Sequence, residues 1–110
     1  MKPSCQPWNP GQATGHIREI AANPELDLTL TKHARERMAM RRIIISDVLW
    51  ILRNGFVRDE NSGETTVSGL FKYVIGGMSP NSSGRVIRIV VIPDAEKTHI
   101  KVVTVMWKDS

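Results

Sequence analysis

One histidine and four arginines fall within the run Lys32 to Arg42, which reads Lys-His-Ala-Arg-Glu-Arg-Met-Ala-Met-Arg-Arg. The run holds five cations and one anion. The whole chain of 110 residues carries 15 Lys and Arg against 11 Asp and Glu, so ten of each lie elsewhere and the net charge of +4 arises here. An imidazole is the side chain that gains or loses a proton most readily near neutral pH. Guanidinium groups hold phosphate through paired, charge-assisted hydrogen bonds. Together they suit a surface that binds a polyanion or assists cleavage of a phosphodiester.

Helical spacing decides how these groups could cooperate. At about 100° per residue, His33, Arg37 and Arg41 form one stripe at roughly 0°, 40° and 80°, with Ala34 and Met38 beside it at roughly 100° and 140°. The row therefore borders the edge that such a helix would bury, where a charged group can be held yet remain reachable. Arg35 and Arg42 lie further round, and with Lys32 they extend the basic surface. Near a helix N-terminus, and beside Arg37, the neutral imidazole is favoured, and a neutral imidazole can serve as a general base. The row is expected to face an accessible hollow beside a sheet. A solvated basic face, with Glu36 pairing locally, is the plainer reading of the same spacing.

Further candidates lie in the second half. Arg88 interrupts the apolar run from Arg85 to Ile92, so it must reach a rim, an acidic partner or a ligand. Strict alternation in the final run places Ile100, Val102, Thr104 and Met106 on one face, with Thr104 the polar exception. Tyr73 suits core packing with a satisfied hydroxyl, and His16 and His99 read as surface residues. No phosphate-binding glycine loop, HExxH motif, nucleophile elbow or paired-carboxylate motif occurs, and Cys5 is the single cysteine. No metal site and no cofactor are expected.

The elements that must position these residues follow from periodicity and turn chemistry. Residues 1–13, rich in Pro, Gly, Asn and Gln, read as a poorly ordered arm on which Trp8 docks, and 14–110 as a single domain. A short helix is expected over Thr14 to Ala22, ended by Asn23-Pro24. Leu26, Leu28 and Leu30 suggest an extended linker packed on the core. Thr31 caps a helix over 32–42. A second helix follows, with Ser46 as its cap, Asp47 in its first turn and Gly55 at C′. Its residues from Val48 to Leu52 are apolar nearly all round, so it should be well buried. Strands are expected at Phe56 to Glu60, weakly at Thr65 to Val67, and at Leu70 to Ile75, Arg85 to Ile92 and His99 to Trp107. Gly76-Gly77 marks a bulge or a close backbone approach. Helices before strands give an α+β fold, with the N-terminal helices on one face of a roughly four-stranded antiparallel sheet. The first residues hold three prolines and no apolar leader, and no run is long enough to span a membrane. A cytoplasmic location is the default.

The segment His33-Ala-Arg-Glu-Arg37-Met38, then Arg41 and Asp47-Val48, resembles the signature of the domain of unknown function 4258 family. The Lys72-Tyr-Val run, the Arg85 to Ile92 run and the closing Val102-Val-Thr104-Val run continue the likeness over about residues 15–107. Arg42 stands where that family usually has glycine, and Ile44 where a serine cap is common. The resemblance implies a toxin-like protein with a RelE- and barnase-like fold, acting as a metal-independent endoribonuclease. In such enzymes a base takes the proton of the ribose 2′-OH, cations stabilise the crowded phosphate and an acid protonates the leaving 5′-oxygen. By the same implication His33 would be base or acid, Arg37 and Arg41 would stabilise phosphate charge and Thr104 would position the scissile group. Arg88, Lys32, Arg35 and Arg42 would bind the nucleic acid.

Two functions are therefore expected to compete. One is the ribonuclease toxin of a bacterial toxin–antitoxin pair, with RNA, free or on the ribosome, as substrate and a small antitoxin as partner. The other is a non-catalytic module that holds nucleic acid or an acidic protein.

Overall fold

Asn9 opens the first helix of a chain whose computed structural model describes residues 5–109. Its side chain accepts from the Gln12 backbone N–H at 2.8 Å, and Gln12 returns its own carbonyl oxygen to the Asn9 N–H at 3.1 Å. This reciprocal cap, with Pro10 at the first helical position, begins α1 at Pro10 (Pro10–Ala22), four residues before the expected Thr14. The polar, proline-rich composition that suggests an arm is here capping chemistry. Trp8 is 2% exposed and docks in the core, its ring 5.6 Å from that of Tyr73. Residues 1–4 of the expected arm lie outside the described residues.

After α1 come β1 (Asp27–Leu30), α2 (Lys32–Arg41), α3 (Ile45–Asn54), β2 (Phe56–Val57), β3 (Tyr73–Gly77), β4 (Ile87–Asp94) and β5 (His99–Trp107). The fold is α+β. The sheet has five strands in the order β1-β5-β4-β3-β2. The β3-β4-β5 meander is antiparallel as expected, but the Leu26–Leu30 segment is no linker. As β1 it pairs in parallel with β5, from Asp27 opposite His99 to Leu30 opposite Val102. Thr65–Val67 forms no strand; a bridge between Glu64 and Phe71 and a hydrogen bond from the Thr65 N–H to the Leu70 carbonyl close that loop.

The core lies between the helices and one sheet face. Ile87, Ile89 and Val91 of β4 are fully buried there, with Ile17 of α1, Ala34 of α2 and Val48, Ile51 and Leu52 of α3. The other face of β4 carries Arg88, Val90 and Ile92, all half-buried. A register shift between Val90 and Val91 pairs Val90 with Thr104 and Val91 with Val102, which leaves Val103 as an extra residue. The bulge breaks strict alternation in β5. Ile100, Val102 and Val105 face the core, and Thr104 and Met106 turn to the outer face opposite Val90 and Arg88. Thr104 is thus no exception on an apolar face.

Beyond Leu30, the free edge of β5 is closed by α2 and its cap. Thr31 donates its backbone N–H to the Val102 carbonyl at 3.1 Å and its hydroxyl to the Val103 carbonyl at 2.9 Å. The Thr31 hydroxyl also accepts from Ala34 N–H at 2.9 Å, as an N-cap should. At the far end, Arg41 Nη1 donates to the Val105 carbonyl and Trp107 Nε1 donates to the Arg41 carbonyl, both at 3.1 Å. Hydrogen bonds of this kind contribute about 1 kcal/mol each, and more where the donor is charged. They fix α2 against the sheet and so fix the basic run.

α2 ends in Arg42 with φ 56° and ψ 40°, the left-handed conformation that favours glycine. α3 is capped at Ile44, not Ser46. Isoleucine has no side-chain acceptor, and Asp47 closes the first turn by accepting from the Ile44 N–H at 3.1 Å. The same carboxylate, 5% exposed, accepts from the Ser79 hydroxyl at 2.7 Å. Gly55 follows α3 with extended backbone (φ −79°, ψ −176°), so handedness does not demand it. A Cβ there would lie 2.7 Å from the carbonyl oxygens of both Gly76 and Ile51, so close approach does.

Candidate functional site

The α2 surface gathers most of the sequence candidates. His33 is exposed on the first turn, and Arg37 Nε donates to His33 Nε2 at 3.4 Å. The contact is long, and it uses the ring nitrogen as an acceptor. Arg37 and Arg41 are half-buried at the border that the helical wheel indicates, beside buried Ala34 and Met38. Lys32, Arg35 and Arg42 are exposed. Lys32 meets Glu36 at 4.0 Å, a solvent-exposed pair of little energetic weight that leaves its ammonium reachable.

Not every candidate joins this surface. Arg41 is a tie between α2 and β5 through Val105. Thr104 and Arg88 lie on the outer sheet face, away from the core on which α2 packs, and no hydrogen bond links either to His33 or Arg37 among the described residues. The hollows at the β2–β3 end of the sheet and beside Trp8 are lined by no residue of α2, so neither is the hollow expected beside the His-Arg row. Ala34 and Met38 are the buried residues of α2, and Arg35 and Arg42 stand exposed around them.

The remaining titratable groups divide similarly. Tyr73 is fully buried, and its hydroxyl accepts from the Trp8 backbone N–H at 2.8 Å. Burial pushes the phenol above its ordinary value of 10.0, partly offset by that hydrogen bond. It is a core residue and not a second acid or base for His33. His16 stacks on Trp8 with ring centroids 4.4 Å apart, and His99 Nε2 is 2.9 Å from the Thr29 hydroxyl, so both have partners that the sequence does not announce. Arg85 donates to Asp109 at 2.8 Å and packs 4.1 Å over the Trp107 ring. The carboxylate is held below, and the guanidinium above, its usual range by that hydrogen bond. Among the described residues no three His, Cys, Asp or Glu side chains converge as metal ligands.

Sequence reasoning missed Trp50. The buried side of α3 is Asp47, Val48, Ile51 and Leu52, and Trp50 is 37% exposed on the opposite side. On a helical wheel it falls among Ser46, Arg53 and Asn54. An aromatic ring centred on a polar stripe is the signal that could have found it. With Phe56 and Arg88 it lines the hollow at the β2–β3 end of the sheet, whose volume is about 430 Å³.

Fold and site thus define a small α+β domain that closes one sheet edge with a basic helix. The family model described as "Domain of unknown function (DUF4258)" matches residues 30–107, and the chain belongs to that family. The match begins at the end of β1, so α1 lies outside it although its apolar face completes the core. No curated protein and no solved structure matches the chain. Among the described residues, no helix is long and apolar enough to cross a membrane.

Proposed function

We propose that this protein binds single-stranded RNA through the exposed face of α2, with Arg35, Arg37 and Arg42 contacting phosphates and Lys32 assisting. The observation that carries this reading is the placement of the entire net charge on one rigidly tied helix. Arg35, Arg37 and Arg42 have no carboxylate partner there among the described residues. An exposed basic helix tracks a flexible strand by charge. Filter binding of a short oligouridylate in EDTA tests the reading. Micromolar or tighter binding that collapses on replacing the three arginines by glutamine is expected, and binding that survives the replacement contradicts it.

A second reading is favoured by the His33–Arg37 contact: cleavage of the bound RNA without a metal, as in the toxin of a toxin–antitoxin pair. With RNA bound, Arg37 would leave His33 Nε2 for the phosphate and stabilise charge there, and the freed Nε2 lone pair would take the 2′-OH proton. The groups on α2 that could serve as a second acid or base for His33, Lys32 and Glu36, pair with each other at 4.0 Å, so binding is the better-supported function. RNA integrity in EDTA and growth of a bacterial host expressing the protein separate the two. Cleavage and growth arrest that His33→Ala abolishes would establish the enzyme. Intact RNA under saturating binding would leave the binding module.

A further inference from the structure

The hollow of about 430 Å³ is lined by no residue of α2, and nothing in the RNA-binding reading uses it. Its volume falls within the range of small-ligand sites. Two exposed aromatic rings enter its wall, Trp50 at 37% and Phe56 at 52% exposure. Three cations, Arg58, Arg88 and Lys108, line it against one carboxylate, Asp59. None of the three cations has an ion-pair partner among the described residues.

The aromatic wall is built, not incidental. Arg18 of α1 donates to the Gly55 and Asn54 carbonyls, each at 2.9 Å, and so caps the end of α3. Held there, its guanidinium stacks 4.5 Å from the Phe56 ring centre. Arg58 lies more loosely, 5.8 Å from the same centre. Arg18 is thus fixed by two carbonyls behind the Phe56 wall, and of the two arginines only Arg58 lines the hollow.

The floor is kept open by glycine. A Cβ on Gly76 would point at Arg88 Cγ, 3.5 Å away, and at Val86 Cγ1, 3.7 Å away. Any side chain at this position would grow into the hollow beside Arg88. The Gly76 carbonyl is also one of the two carbonyls that leave no room for a side chain at Gly55.

Exposed flat rings and surplus positive charge around an open floor match the chemistry of one nucleotide. Sequence-tolerant binding of single strands combines aromatic stacking of bases with cations that follow the backbone. An acidic peptide would use the charge but not the flat rings. Resting on the RNA-binding reading above, we infer that this hollow seats one nucleotide of the same single-stranded RNA, its base stacked on Trp50 and Phe56 and its phosphate held by Arg58, Arg88 and Lys108.

The experiment compares two probes, a short oligouridylate and inorganic polyphosphate, which has the charge but no bases. Four proteins are titrated: wild type, Trp50→Leu with Phe56→Leu, Arg88→Gln, and the α2 triple variant with Arg35, Arg37 and Arg42 replaced by glutamine. Leucine keeps apolar contact at two exposed positions, and circular dichroism verifies the fold. Loss of the rings should weaken RNA binding about ten-fold and leave polyphosphate binding unchanged. Arg88→Gln should weaken both probes. Oligouridylate should quench wild-type tryptophan fluorescence, and Trp50→Leu should remove that quenching. RNA binding and quenching unchanged by the ring and Arg88 variants, but lost in the α2 variant, would overturn the hollow's role and leave the α2 reading intact. No RNA binding by the wild type would overturn both.

Discussion

The salt dependence of RNA binding follows quantitatively from where α2 puts its charges. Of the cations in the basic run, Arg41 is committed to the Val105 carbonyl and Lys32 shares Glu36. Arg35 and Arg42 are exposed, and Arg37 is half-buried with His33 as its hydrogen-bond partner. If each of these three arginines displaces one counterion from a single strand, each adds about 0.7 to the slope of log K against log salt. Replacing all three by glutamine should then remove about 2 from that slope. Over a four-fold rise in salt, the wild type should lose about 20-fold more affinity than the triple variant. Fluorescence anisotropy of a labelled oligouridylate across a salt series measures both slopes. Lys97→Gln, on the exposed turn between β4 and β5, removes one cation away from α2 and should leave the slope as it is. Parallel slopes for wild type and triple variant would refute the assignment of phosphate contacts to α2, whatever the absolute affinities.

Three further outcomes are expected. Arg42→Gly relieves a left-handed residue at the α2 terminus, a strain of about 1–2 kcal/mol partly offset by the freer unfolded glycine. Thermal unfolding should therefore shift upward by several degrees while the salt slope falls by about 0.7. Arg41→Gln withdraws the charged donor from the Val105 carbonyl, so denaturant unfolding should show a loss of about 1.5–3 kcal/mol with little change in salt slope. Tyr73→Phe removes the hydroxyl that accepts from the Trp8 N–H, and should cost about 1–3 kcal/mol near neutral pH. Because the folded phenol titrates above 10.0 and the unfolded one near it, wild-type stability is full below pH 10.0 and falls as pH rises toward the folded value. Urea titrations at alkaline pH should show that fall in wild type, and Tyr73→Phe should lack it.

How much was legible in the sequence depended on whether a local rule or a tertiary contact decided each element. α2 could be read because Thr31, the positions of Ala34 and Met38, and the charge run all act within one helix. β4 could be read because its alternation is unbroken. The β5 faces could not, since the extra residue at Val103 arises from pairing with β4 and leaves no mark on β5 itself. The parallel pairing of β1 is likewise a property of its partner, and Leu26, Leu28 and Leu30 alone fit a linker equally well. The start of α1 was obscured by composition: Asn9, Pro10 and Gln12 are loop-forming residues in bulk but a capping set in this order. Gly55 was read correctly as the end of α3 for a reason that the backbone does not share. For the site, spacing placed Arg37 and Arg41 at the buried border. It could not show that Arg41 would be drawn to a strand carbonyl. Trp50 was hidden by hydrophobicity itself, because an apolar residue in an apolar run is assigned to the core until the polar residues around it are counted.

Amide NMR of the uniformly labelled protein, titrated with a short oligouridylate in EDTA, tests the central claim most directly. The account predicts that the largest shift changes fall on the backbone of residues 32–42. Saturable RNA binding whose changes bypass α2, or a spectrum that RNA leaves unmoved, would contradict it.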